Sequence, residues 1–206
     1  MNDPLGTVHH VLTPRASARQ EETQPAMTFT PSTDDLLAAN ARYASDFHDD
    51  ALQVQPQRHL AIVACMDSRI DAFAILGLSN GDAHIIRNAG GVITDDVIRS
   101  LCLSQRFLGT REIVLVHHTD CGLQKVDEAD FRVELEAELG VRPWWSLESF
   151  SDPYADVRQS IQRLYMTPFV PHKDHIRGFV YDVTDGLLHE VTLGDQERSP
   201  QPGAGS

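Results

Sequence analysis

The chain has 206 residues, 41% of them hydrophobic and 23% charged, a composition that suits a soluble globular protein with one sizeable core. Its formal charge of -13, with no cluster of Lys or Arg to offset it, argues against a nucleic-acid partner, because a phosphate backbone would be repelled. No run approaches the roughly 18 apolar residues needed to cross a bilayer, so no membrane partner is expected. The opening stretch lacks the apolar core of a secretion signal. Three cysteines, Cys65, Cys102 and Cys121, are too few and too odd in number for a disulfide framework. The cytoplasm, which keeps thiols reduced, is the compartment expected.

Residues 1–30 are rich in Pro, Thr, Gln and charge without sustained periodicity, and read as a disordered extension. Met27 is an alternative start within it. The folded domain is expected over 31–194 as a single unit, followed by a disordered tail over 195–206.

PSTDDLLAANARYASDFH opens with capping residues, has apolar positions at Leu36, Leu37, Ala41, Tyr43 and Phe47, and predicts a helix starting at Ser32 or Thr33. HLAIVACM is a short continuous apolar run, as a strand buried on both faces requires. IDAFAILGL predicts a short helix stopped near Gly77, and AHIIRNAGG a second strand running into a glycine pair. TDDVIRSLCLSQRFLG starts with Thr94 as N-cap and two acids in the first turn, and is expected to end at Gly109. REIVLVHH is the third strand. The acidic run DEADFRVELEAELG reads as a solvated helix, and Trp144-Trp145 as core or subunit contact. DPYADVRQSIQRLYMTPF predicts a helix closed by Pro168. IRGFVYDVTDGLLHEVTL reads as a hairpin around Asp185-Gly186. The alternation implies an α/β fold, a central and mainly parallel sheet flanked by helices, with an antiparallel strand added at the C-terminal end.

The chemistry concentrates at two strand ends. Cys65 closes the first strand in ACMDSR, and His118 with Cys121 follows the third in HHTDCG. Open α/β sheets build their sites at the carboxyl ends of strands. Two thiolates and one imidazole suit zinc, and three protein ligands leave a tetrahedral ion one open position, the mark of a catalytic site. Asp67, two residues past Cys65, could accept a hydrogen bond from a bound hydroxyl, or could ligate the ion and shut the site. Arg69 can hold it away through a bidentate ion pair. Each feature alone has a plain alternative: a buried thiol, a chance His-x-x-Cys, a surface ion pair. Their coincidence at matching strand ends favours a metal.

This combination resembles the β-class carbonic anhydrases, and most closely their compact bacterial and archaeal subgroup. The resemblance rests on Cys65-Met66-Asp67-Ser68-Arg69, on Arg87-Asn88-Ala89-Gly90 and on His118 to Gly122, and it extends over about 34–193. It implies one Zn2+ per chain on Cys65, His118 and Cys121, with Asp67 and Arg69 as the catalytic dyad. It also implies that Gly122, Ala89 and Gly90 face the substrate. The implied reaction is hydration of CO2 to bicarbonate and a proton by zinc hydroxide, in a homodimer or dimer-based tetramer whose first helix lies across the partner.

Several positions depart from the plant-type pattern or fall outside the motifs. His84 and Ala89 stand where the plant-type enzymes place a Phe and a Val in the pocket; His84 is a candidate proton shuttle, against the commoner reading of a partly exposed strand-flanking histidine. His117 points to the opposite strand face by period two and packs there. Cys102 is expected in the core. Gly90 and Gly91 are expected to allow positive φ and close backbone approach. Two other functions remain compatible with the residues. One is hydrolysis of carbon disulfide or carbonyl sulfide on the same metal, and the other is a non-catalytic zinc-binding or redox regulator.

Overall fold

Continuous apolar runs become the middle of a sheet. β1 (Leu60–Cys65) and β3 (Glu112–His118) lie side by side, and all but the first residue of each is buried, as strands covered on both faces require. β2 (Ala83–Asn88) pairs with β1, β4 (His175–Tyr181) with β3, and β5 (Leu188–Val191) with β4. The first four strands run parallel and β5 returns antiparallel, giving the order β2-β1-β3-β4-β5. This is the mainly parallel sheet with an antiparallel addition that the sequence implies. The computed structural model describes residues 31–48 and 52–194, so the disorder expected over 1–30 and 195–206 lies outside the described residues.

The described residues fall into two units, 31–48 and 52–194. In the first, α1 (Thr33–Ser45) has no buried residue, and Leu36, Leu37, Tyr43 and Phe47 are all exposed. The helix starts where the sequence places it, with Ser32 at its N-cap, although the Ser32 side chain makes no capping bond.

In the second unit, α2 (Ala72–Leu76) is capped by Asp71, whose side chain accepts from the amides of Phe73 and Ala74, and stops at Gly77 in the left-handed region. α3 (Asp95–Arg106) starts at Thr94, which accepts from the Val97 amide. It ends before the Gly109 expected, because Gly109, at φ 74°, serves the turn into β3 instead. α4 (Glu128–Leu139) is the expected acidic helix, without a buried residue. α5 (Pro153–Met166) opens on an Asp152 cap with Pro153 in its first turn and ends before Pro168. α3 and α5 supply Val97, Leu101, Val157, Ile161 and Leu164 to one core with Ala61, Val63, Ile113 and Leu115 of the sheet. The other sheet face buries Ile62, Ala64, Val114 and Val116.

Register fixes where the site falls. Leu60 pairs with Glu112 and Ala64 with Val116, so Cys65 and His118 finish neighbouring parallel strands at the same end. Three further positions are placed by this frame. His84 pairs with Ala61, near the start of β1, and its Nδ1 is 2.8 Å from the Ser104 hydroxyl; it stands at the wrong end of the sheet to shuttle protons from the strand tips. Cys102, expected in the core, is only partly buried. Trp144 is 90% exposed and Trp145 40%, so neither belongs to the core of the chain. His117 does project to the face opposite His118, buried, with Nε2 2.6 Å from Asp156 Oδ2 on α5.

Candidate metal centre

Three potential ligands converge although they come from two strand ends. The donor atoms of Cys65, His118 and Cys121 lie within 4.8 Å of one another, and all three residues are buried. A tetrahedral zinc with Zn–S bonds near 2.3 Å sets two sulfurs about 3.8 Å apart. The sulfurs of Cys65 and Cys121 are 3.9 Å apart. His118 donates from Nδ1 to the Thr119 carbonyl at 2.9 Å, which fixes the tautomer and leaves Nε2 with its lone pair free. Nε2 is buried and has no hydrogen-bond partner. A buried imidazole nitrogen without a partner is costly unless a ligand takes it, so the donor set fits zinc.

Backbone constraints hold this floor in place. Gly91 adopts φ 74°, and a side-chain Cβ there would sit 2.9 Å from the Cys65 nitrogen and 3.2 Å from the Val116 oxygen. The chain can cross the tips of β1 and β3 this closely only because the residue is glycine. Gly90 also has positive φ, at 78°, so both glycines behave as the sequence implies. Arg87 braces the segment after β1, donating to the carbonyls of Cys65 and Asp67 at 2.9 and 2.7 Å. Gln124 folds back so that its Oε1 accepts from the Cys121 amide, while its Nε2 donates to the Ser151 carbonyl.

The two thiols titrate as a pair. A hydrogen bond from Cys121 pulls the Cys65 thiol well below its ordinary range against the effect of burial, helped by His118 and the Asp67 amide. Cys121 is pushed up in turn, first by that same bond and then by burial. Burial disfavours the charged form of His118, yet attraction to the Cys65 thiolate raises its pKa overall. The site therefore favours one thiolate before any ion arrives, and a divalent cation stabilises the second.

Asp67 and Arg69 stand above this floor. Arg69 Nε donates to Asp67 Oδ1 at 3.0 Å and Nη2 to Oδ2 at 2.9 Å, a bidentate pair. The Arg69 amide adds a third bond to Oδ1, and together these hold the Asp67 carboxyl well below the usual carboxylate range. Asp67 Oδ2 lies 3.7 Å from His118 Nε2, turned toward the guanidinium. Asp120, which the sequence reading passed over, receives a further pair of bonds from Arg69 and one from Lys125.

The floor opens into a cavity of about 300 Å³ lined by Cys65, Asp67, Cys121 and the small residues Ala89, Gly90 and Gly122. Its remaining wall is apolar: Met66, Leu123, Val126, Phe131 and Leu147. Of these, Phe131 comes from α4, which read as a solvated helix in the sequence, and Leu147 from the loop beyond it. The signal that could have found Phe131 is a lone aromatic in an otherwise acidic helix.

A carbonic anhydrase family model matches residues 60–145. The chain is 55% identical over 160 residues to β-carbonic anhydrase 1 of Mycobacterium tuberculosis, covering 78% of this chain and 98% of that protein. It is 32% identical over 190 residues to a carbon disulfide hydrolase of Acidithiobacillus thiooxidans, covering 80% of this chain and 84% of the relative. Among solved structures, a carbonic anhydrase from Streptococcus mutans superposes with a TM-score of 0.74 at 42% identity, over 80% of this chain and 99% of that one.

Proposed function

The chain belongs to the β-class carbonic anhydrases, and from that membership we propose that it hydrates CO2 reversibly to bicarbonate and a proton at one zinc held by Cys65, His118 and Cys121. The observation that carries the proposal is the unpartnered, buried Nε2 of His118 facing two sulfurs at tetrahedral spacing. Zinc, when bound there, supplies a Lewis acid that lowers the pKa of water toward neutrality.

The residues of the chain do the rest. The apolar wall of Met66, Val126, Phe131 and Leu147 receives a small neutral molecule and excludes competing water. Ala89, Gly90 and Gly122 leave room beside the ligands, and the Gly122 amide is the donor to a substrate oxygen. Asp67 Oδ2 accepts a hydrogen bond from the attacking oxygen and so aims its lone pair, while Arg69 keeps that carboxylate ionised and turned from the ligands.

The apolar wall also admits a second reading, hydrolysis of carbon disulfide or carbonyl sulfide, which the carbon disulfide hydrolase relatives favour. Stopped-flow CO2 hydration by the zinc-loaded protein separates the two, with Asp67→Ala and carbon disulfide consumption run beside it. Activity that collapses in Asp67→Ala with one zinc per chain retained is the expected result. No CO2 hydration by the zinc-loaded chain overturns the proposal, and carbon disulfide turnover would then replace it.

The exposed apolar side chains of α1 support a homodimer or dimer-based tetramer, which light scattering would measure. Among the described residues no helix is long and apolar enough to cross a membrane. The two thiol ligands suit a reducing compartment, and the cytoplasm is the location proposed.

A further inference from the structure

Asp120 occupies an unusual position between the ligand His118 and the ligand Cys121. It is a non-glycine residue at φ 53°, a region that Asp tolerates better than most. Its carboxylate is gripped from two sides, with Oδ1 2.7 Å from Lys125 Nζ and Oδ2 2.9 Å from Arg69 Nη1. Its carbonyl also accepts from Arg69 Nη2 at 2.9 Å. Arg69 thus spends four of its five N–H groups on two residues, two on Asp67 and two on Asp120.

That division matters because the Arg69 side chain is 44% exposed and would otherwise sample many rotamers. A guanidinium is planar, so fixing the Nη1 edge on Asp120 fixes the direction of the Nε–Nη2 edge that faces Asp67. Asp67 has somewhere else to go: its Oδ2 is already 3.7 Å from the unpartnered His118 Nε2. A carboxylate released from Arg69 at that distance needs only a rotamer change to compete for the metal position.

We propose that Asp120 is a positioning residue, which holds the Arg69 guanidinium so that it retains Asp67 and keeps the fourth position of the metal open. The inference rests on the metal reading above. The carboxylate is what distinguishes Asp120, since the carbonyl bond survives any substitution. Lys125 orients the same carboxylate from the far side, and acts on Arg69 only through it.

Visible absorption of the cobalt-loaded protein at neutral pH tests the proposal, because cobalt spectra respond to a change of ligand. Asp120→Gly removes the carboxylate and suits the positive φ, while Asp120→Asn keeps an acceptor oxygen and an αL-tolerant residue. The wild-type spectrum should resemble that of Asp67→Ala. Asp120→Gly should shift it, Asp120→Asn should restore most of it, and the double variant Asp120→Gly/Asp67→Ala should show no shift. Zinc-loaded Asp120→Gly should lose about tenfold in kcat/KM, the weight of one charge-assisted hydrogen bond. An unshifted Asp120→Gly spectrum overturns the inference, as does a shift that survives without Asp67. Failure of the wild type to take up cobalt overturns the metal reading and the inference with it.

Discussion

The two sides of the cavity are built on different terms. Its floor, Cys65, His118 and Cys121, stands at the tips of β1 and β3 and is at most 3% exposed. Its outer wall, Phe131 and Leu147, belongs to α4 and an irregular loop, and both residues remain partly exposed. The floor is positioned by sheet register and by glycine crossing the strand tips. The wall is positioned by one carboxylate: Glu128 accepts from the Ser146 hydroxyl at 2.9 Å and from the amides of Leu147 and Glu148 at 3.1 and 3.0 Å. Chemistry that depends on metal geometry sits where the backbone cannot drift, and substrate access sits where a few side-chain bonds can be rewritten. This arrangement suits a fold whose relatives carry both carbonic anhydrase and carbon disulfide hydrolase names.

The largest effect expected is from the floor. His118→Ala removes the imidazole ligand and leaves two thiols facing an empty corner. Zinc affinity should fall by more than the roughly 10–100-fold that loss of a supporting outer residue costs, and hydration should vanish with it. Metal analysis after dialysis checks the first and stopped-flow the second. A variant that keeps both zinc and activity would break the division between floor and wall at once.

The floor should also fail through its backbone alone. Gly91→Ala forces a Cβ to 2.9 Å from the Cys65 nitrogen and 3.0 Å from the Ala64 carbonyl carbon, at φ 74°. Strain and overpacking together should cost roughly 2–5 kcal/mol, read by urea denaturation. Gly122→Ala is the control, because nothing lies within 4 Å of its added carbon. Its stability should stay close to wild type. Equal costs at the two glycines would mean that the strand-tip crossing is not what fixes the ligands.

How legible this was in the sequence follows the same division. Cys65, His118 and Cys121 stand at the ends of continuous apolar runs, so strand period and spacing were enough to bring them together. Asp67 and Arg69 sit two and four residues past a ligand, and local chain geometry does the rest. His84 shows the limit: alternation says which face a side chain takes, but only pairing register says which end of the sheet it reaches. Asp120 drew no reading in HHTDCG because its partner Arg69 is 51 residues away. Phe131 read as part of an acidic solvated helix, since one aromatic makes no apolar stripe. Of the two readings of Trp144 and Trp145, core or subunit contact, their exposure removes the core of this chain.

The smallest effect expected, and the one that sharpens the comparison most, is at Glu128. Burial raises its pKa, but the Ser146 hydroxyl and the amides of Leu147, Ser149 and Glu148 together hold it below its ordinary value. A carboxylate depressed in the folded state contributes stability fully above its unfolded pKa, about 4.3, and loses it as pH falls through the lower folded value. Glu128→Gln should therefore cost about 1 kcal/mol at neutral pH, a modest figure because 27% of the side chain still meets water. The gap from wild type should narrow as the medium is acidified below the ordinary carboxylate range, where both proteins present a neutral group to the loop. Zinc content should not change, since no ligand touches Glu128. KM for CO2 should rise more than kcat falls, because the variant loosens Leu147 and leaves the Asp67–Arg69 pair intact. Urea midpoints at neutral and acid pH, with the KM-against-kcat split, decide it. A variant that loses zinc, or loses kcat alone, would place Glu128 in the floor and dissolve the contrast between a fixed chemical centre and an adjustable wall.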